Sequence, residues 1–296
     1  MFIHNVKMDL CEDYSRLVSF WLKQEGIHSN QSGWELWYEY FNIQMKQIPS
    51  QKRIVLFSKE FSCPDHLKTG LFVLVKKLEN GDDVSPYLSR EASSSKKFDE
   101  LLYDWGIHHL HLGEETDQKT GYIKRTKYVL FARIDRNTVY CINTYPHGKG
   151  VAKPWTKQEM VKILHRNWPH SIAKYRIPDV ISASESLTDN QYAQLRDAHV
   201  STFIEAEVGA VYMPPGGGYM SSGHSTEIMR VCQRINNALK KAELDISNNL
   251  AYYVSKIENA LGEPLRHNPH FSLLAENRTL YVVEIHSMCR IMQIAV

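Results

Sequence analysis

Apolar residues recur at helical spacing over Glu12 to Gln24, where Tyr14, Leu17, Val18, Trp21 and Leu22 form one stripe and Gly26 supplies a stop. The same reading predicts a helix over Gly33 to Phe41, rich in tryptophan and tyrosine, and another over Asp65 to Leu78 with Pro64 in its first turn. Ile54 to Phe57 is a short candidate strand. Residues 79–97 break the pattern with Glu-Asn-Gly-Asp-Asp, Ser-Pro and three consecutive serines, which reads as a linker or mobile loop and as the best domain boundary. Phe98, Leu101 and Leu102 then begin a short helix that Gly106 closes, and a strand over Ile107 to Leu112 follows. Tyr128 to Ile134 and Thr138 to Thr144 flank Asp135-Arg136-Asn137, a hairpin signal whose near-continuous apolar arms are expected of interior strands.

Further on, Thr156 with Glu159 matches a capping box for a helix running to about Asn167, and Thr188 with Gln191 matches a second one. The second box predicts a long helix over Asp189 to Glu207, with Tyr192, Leu195, His199 and Phe203 on one stripe, so His199 reads as a core or boundary residue. Helices are expected over Thr226 to Glu243 and Asn248 to Leu261. An antiparallel meander is expected over Phe271 to Leu274, Thr279 to Ile285 and Cys289 to Ile294. The pattern predicts an α+β protein in three parts: a mainly helical 1–95, a central antiparallel sheet with flanking helices over 96–180, and a mixed 181–296.

Composition narrows the class without naming a function. The chain of 296 residues is 43% hydrophobic and 23% charged, an ordinary globular balance, and long enough for more than one core. Lys+Arg 35 against Asp+Glu 33 leaves a net +2, so no general electrostatic grip on nucleic acid is implied, although a local basic groove remains open. Five dispersed cysteines without a Cys-x-x-Cys pair are expected of a reduced, cytoplasmic protein. No apolar run approaches the roughly 18 residues of a membrane span, and no secretory signal pattern opens the chain.

The candidate chemistry is concentrated in Ile107-His108-His109-Leu110-His111-Leu112. In a strand, His109 and His111 share one face while His108, Leu110 and Leu112 share the other. His147 ends the second hairpin arm with Lys149 just beyond it, so pairing of these strands can gather His109, His111 and His147 into one centre. Imidazoles that titrate near pH 6.5 can act as general base and acid in cleaving RNA through its own 2'-hydroxyl, with Lys149 offsetting charge on phosphate. The same three side chains, when neutral, can hold zinc or another divalent metal with an open position for water. Asp104 can act as a ligand, orient a histidine, or simply end its helix. Arg125 and Arg133 add local positive charge for substrate, and Trp155 can stack on a base, though such residues as often serve a solvated edge or packing.

A short helix followed by a meander carrying scattered basic and histidine side chains, within positions 96 to 170, resembles the small mRNA-cleaving toxins of bacterial toxin–antitoxin systems. The resemblance implies a ribonuclease acting on single-stranded RNA without a cofactor, a toxic or antiviral defence role, and an inhibitory protein partner. The residues themselves leave two alternatives open: a metal-dependent phosphohydrolase, and a non-enzymatic regulator that binds nucleic acid or protein and uses its histidines structurally. A second unusual segment, Pro214-Pro215-Gly216-Gly217-Gly218 through His224-Ser225, precedes a helix. Its glycines permit close backbone approach, and Ser222 and Ser225 can contact an anion at the helix start, or the segment is a turn with an ordinary cap.

Overall fold

The computed structural model describes residues 6–147, 156–180, 182, 187–277 and 279–295. In chain order the elements are α1 (Leu10–Gln24), α2 (Gly33–Lys46), β1 (Ile54–Phe57), α3 (Lys68–Asn80), α4 (Glu100–Trp105), β2 (Ile107–His111), β3 (Tyr128–Ile134) and β4 (Thr138–Pro146). They continue as α5 (Glu159–Asn167), α6 (Pro169–Ile172), α7 (Asp189–Asp197), β5 (Ile204–Glu207), β6 (Ala210–Tyr212), α8 (Thr226–Asn248), α9 (Leu250–Leu261), β7 (Phe271–Glu276), β8 (Thr279–Glu284) and β9 (Arg290–Ile294). The fold is α+β: a helical N-terminal region, a central sheet with flanking helices, and a mixed C-terminal region.

Two compact units form, one from residues 1–41 with 229–296 and the other from residues 42–228; the expected borders near 95 and 180 both fall inside the second. In the first unit, β7, β8 and β9 make the expected antiparallel meander. Asp9 caps α1 by accepting from the Glu12 amide, and Asp13 on the same helix accepts from the Leu273 amide of β7 at 3.1 Å. Polar anchoring thus fixes α1 beside the meander, while Leu10, Val18 and Leu22 are buried.

The second unit is built on a four-stranded sheet of order β1-β4-β3-β2. The β2-β3-β4 meander is antiparallel as expected, and β1 joins β4 in parallel, which makes the whole sheet mixed. Both faces are covered, and this explains the continuous apolar arms. On one face Val129, Phe131, Tyr140 and Ile142 pack with Met160, Val161 and Leu164 of α5 and with β5 and β6. On the other, Leu110, Leu130, Val139 and Cys141 meet Leu71, Leu74 and Leu78 of α3 together with Val84, Tyr87 and Leu88. Gly70 lets α3 lie against β2, because a Cβ there would overlap the Leu112 carbonyl.

Residues 81–95 differ from the loop that their polarity suggests. They form short 3-10 turns over Ser85–Tyr87 and Arg90–Ser93, and bury Val84, Tyr87, Leu88 and Ala92. Four apolar residues spaced among serines are enough to seat the segment on the sheet. The helix expected over Asp189 to Glu207 also ends early. Its capping box forms, but the backbone turns left-handed at His199 (φ 55°), and the alternating Ile204-Glu205-Ala206-Glu207 becomes a strand instead. The Thr156 capping box does not form, since α5 begins at Glu159 with no side-chain cap. Among the described residues no helix is long and apolar enough to cross a membrane.

The glycine-rich segment packs on protein. Gly216 and Gly218 donate their amides to the Asp104 and Tyr103 carbonyls at 2.7 and 2.9 Å, satisfying terminal acceptors of α4 from outside the helix. A Cβ at Gly216 would overlap the Leu102 and Tyr103 carbonyl oxygens, so close backbone approach is needed here for helix α4.

Candidate functional site

The β2 strand lies at one edge of its sheet, and a pocket of about 290 Å³ runs along that edge. His108 and His109 reach it from the strand itself, so it wraps around the edge and draws on both faces. His109 and His111 pair across β3 with Phe131 and Val129, which fixes both imidazoles on the face shared with α5. His147 arrives from the end of β4, where its amide donates to the Lys127 carbonyl at 2.7 Å and prolongs the hairpin pairing by one residue.

The three predicted histidines are brought together. Ring centroids lie 6.0 Å apart for His109 and His147, and 5.9 Å apart for His111 and His147. Among the described residues, no choice of one nitrogen from each ring places all three within 4.8 Å of one another. Asp99 caps α4 by accepting from the Leu102 amide at 3.0 Å through Oδ1, while its Oδ2 stands 4.0 Å from His109 Nδ1. A helix cap is thereby also the carboxylate neighbour of a site histidine. His111 is 2% exposed, and both of its ring nitrogens are buried without a hydrogen-bond partner among the described residues.

Burial sets the protonation of the cluster. It pushes His111 down to about 3, helped by the neighbouring His109 and His147 rings and by Arg125. His108 is pushed down to about 4 by burial, against the pull of Asp99. Burial also lowers His109, with Asp99 opposing, and lowers His147, with His109 and Arg125 adding to the effect. The cluster is therefore neutral at pH 7.

The sign of the resulting pH dependence follows directly. Below about pH 6.5 the unfolded chain takes up protons at these imidazoles while the folded chain does not, so stability is highest above that pH and falls toward pH 4. Urea midpoints measured from pH 7 down to pH 4.5 should decline, and a His111→Leu variant should decline less than wild type. Parallel slopes for the two proteins would remove His111 from the linkage.

Further residues shape the pocket wall. Lys46, held down to about 8 by burial against Asp99 and Glu91, donates from Nζ to the carbonyls of Ser94 and Lys97 at 2.5 and 2.8 Å. Asn42, fully buried, donates to the Ser95 carbonyl at 2.7 Å and accepts from the Tyr103 hydroxyl. These contacts tie down the segment that faces β2. Sequence reading missed both residues, which lie just beyond the helix expected over Gly33 to Phe41, whereas α2 runs on to Lys46.

The other predicted residues are dispersed. Arg125 lines the pocket and is exposed. Arg133 is buried, donating to the Pro215 carbonyl at 3.1 Å, with its guanidinium 5.7 Å from the Tyr175 ring centre. Ser222 pairs with His224 Nδ1 at 2.8 Å, and Ser225 is buried near the start of α8, where its hydroxyl is 3.4 Å from the Ile228 amide. Neither serine lines the histidine pocket. Lys149 and Trp155 lie outside the described residues. Asp104 does not orient a histidine: its Oδ2 is bound by Arg196 at 2.6 and 3.2 Å, and Trp105 is fully buried under the same guanidinium.

No family model matches this chain, and no curated protein or solved structure is significantly similar to it. The functional reading therefore rests on the site alone.

Proposed function

We propose that the pocket along β2, together with the buried His111 that lies beside its lining residue His147, is the active site of a metal-dependent phosphohydrolase, with His109, His111 and His147 as ligands to a divalent transition metal. The observation that carries this reading is His111: a buried imidazole without a hydrogen-bond partner among the described residues, held neutral and facing a second neutral imidazole. Leaving such a group unsatisfied costs about 1–3 kcal/mol, and a metal accepts the lone pair that nothing else meets. An acid–base pair, by contrast, needs one imidazolium near neutral pH, which burial opposes at all three positions.

Tetrahedral coordination at about 2.1 Å brings ligand nitrogens to about 3.4 Å of one another. Closing to that distance would require the half-buried His147 ring, which approaches from its own strand end, to turn inward. Asp99 Oδ2, 4.0 Å from His109 Nδ1, would need to close by about 1 Å to orient that ring by a hydrogen bond, and Arg125 supplies positive charge at the mouth for an anionic phosphoester. A metal held by these residues would supply a water of lowered pKa as nucleophile at neutral pH.

The test is turnover of phosphomonoesters, phosphodiesters and single-stranded RNA by protein stripped with EDTA, then resupplied with zinc or manganese. Activity should vanish on stripping and return with a defined metal. Undiminished RNA cleavage in EDTA with a 2',3'-cyclic phosphate product would instead establish metal-free acid–base chemistry. No turnover on any phosphoester, alongside tight binding of nucleic acid or protein, would mark a regulator.

A further inference from the structure

A second group of ligating side chains sits in the unit formed by residues 1–41 and 229–296. His267 precedes β7, Glu284 is the last residue of β8, and His286 lies in the turn toward β9. The strand register brings them together: Phe271 pairs with Glu284, and the Ile285 amide donates to the His270 carbonyl at 3.0 Å. One ligating atom from each of His267, Glu284 and His286 falls within 4.8 Å of the others. The two imidazole rings are 4.4 Å apart, centre to centre, at 61°.

Glu284 has an ordinary structural use, and its geometry shows how much of the carboxylate that use takes. Oε2 accepts from the Ser287 amide and hydroxyl, both at 2.8 Å, and from the His286 amide at 3.2 Å. Oε1 receives one long contact, 3.3 Å from the His270 amide. One oxygen thus organises the turn and the other keeps lone-pair capacity. The residue is fully buried, and hydrogen bonds from the Ser287, His286 and His270 groups hold its carboxyl in place. None of these partners is a lysine or an arginine.

His267 is also prepared. Its Nδ1 lies 3.1 Å from the Asn268 carbonyl, which can only accept, so Nδ1 carries the proton and Nε2 bears the lone pair. Fixing a tautomer by a backbone carbonyl is the usual second contact of a ligating histidine. Both His267 and His286 are exposed, so an ion from solution reaches them without opening the core.

We infer that His267, Glu284 and His286 form a binding site for a divalent transition metal of the zinc type, with solvent completing a four-coordinate shell. Two imidazoles and one carboxylate suit such an ion, whereas calcium takes six to eight oxygens and magnesium an octahedral oxygen shell. The bound ion clips the segment before β7 to the β8–β9 turn.

The test uses full-length protein carrying His109→Ala and His147→Ala, so that the pocket histidines contribute nothing, stripped with EDTA and titrated with zinc against a chromophoric chelator. One equivalent should bind and raise the melting temperature. Adding His267→Ala or His286→Ala should weaken binding by about 100-fold or more, since loss of a supporting contact alone costs about 10- to 100-fold. Both side chains are exposed, so circular dichroism of each variant should match the parent. His267→Ala in the otherwise wild-type chain should leave phosphoester turnover unchanged. No zinc equivalent in the parent, or equal affinity with and without His267, would overturn the assignment.

Discussion

Replacing His111 with leucine is expected to reduce phosphoester turnover by about 100-fold or more while leaving the protein at least as resistant to urea as wild type. The two halves of this result come from one fact. His111 is buried with neither ring nitrogen hydrogen-bonded among the described residues, so leucine removes an unsatisfied polar group and adds apolar contact. A metal-binding imidazole cannot be replaced in that way, and loss of a positioned catalytic group typically costs about 10²-fold or more. Steady-state kinetics and urea melts on the same preparations decide the matter. A leucine variant that unfolds more easily yet keeps its turnover would make His111 a structural residue. Functional sites are where a chain tolerates local instability, and His111 has that character.

The largest stability effect is expected at Arg196. Asp104 and Arg196 are each only 2% exposed at the side chain, with Nη2 to Oδ2 at 2.6 Å and the guanidinium 4.5 Å from the Trp105 ring centre. Burial pushes the Asp104 carboxyl up, and Arg196 pulls it back. Arg196→Met leaves the carboxyl buried without its counter-charge and should cost about 3–5 kcal/mol in urea unfolding at pH 7. The double variant Asp104→Leu, Arg196→Met should recover much of that loss, because well-packed apolar replacements of a buried pair are often close to neutral. A single variant costing under about 1 kcal/mol would show that the pair contributes little.

Local patterns in the sequence carried much of this fold. The alternation in Ile107 to Leu112 placed His109 and His111 on one face, and the hairpin around Asp135-Arg136-Asn137 brought His147 to the same side. What escaped is nonlocal. Asp104 and Arg196 are 92 residues apart, and nothing near either indicates the partner. Lys46 closes on carbonyls about 50 positions later, so the wall it holds looked like a free loop. The glycines at 216–218 signalled close backbone approach correctly, but periodicity cannot say whether the approaching group is phosphate or the end of α4. The helix from Asp189 was overextended because Ile204 to Glu207 fits a helical stripe and a half-buried strand equally well, and tertiary pairing with β6 decided between them.

The unit made from residues 1–41 and 229–296 has a consequence for how the protein is born. Residues 42–228 are synthesised between its two segments, so the first cannot find β7, β8 or β9 until the second has been made. At about 5–20 residues per second, residues 229–296 alone take roughly 3–14 s to emerge. Residues 42–228, with every strand of the central sheet within one stretch, can fold during that interval. The nascent amphipathic helix α1 meanwhile waits with its apolar stripe uncovered, the stage at which a chaperone would find this chain.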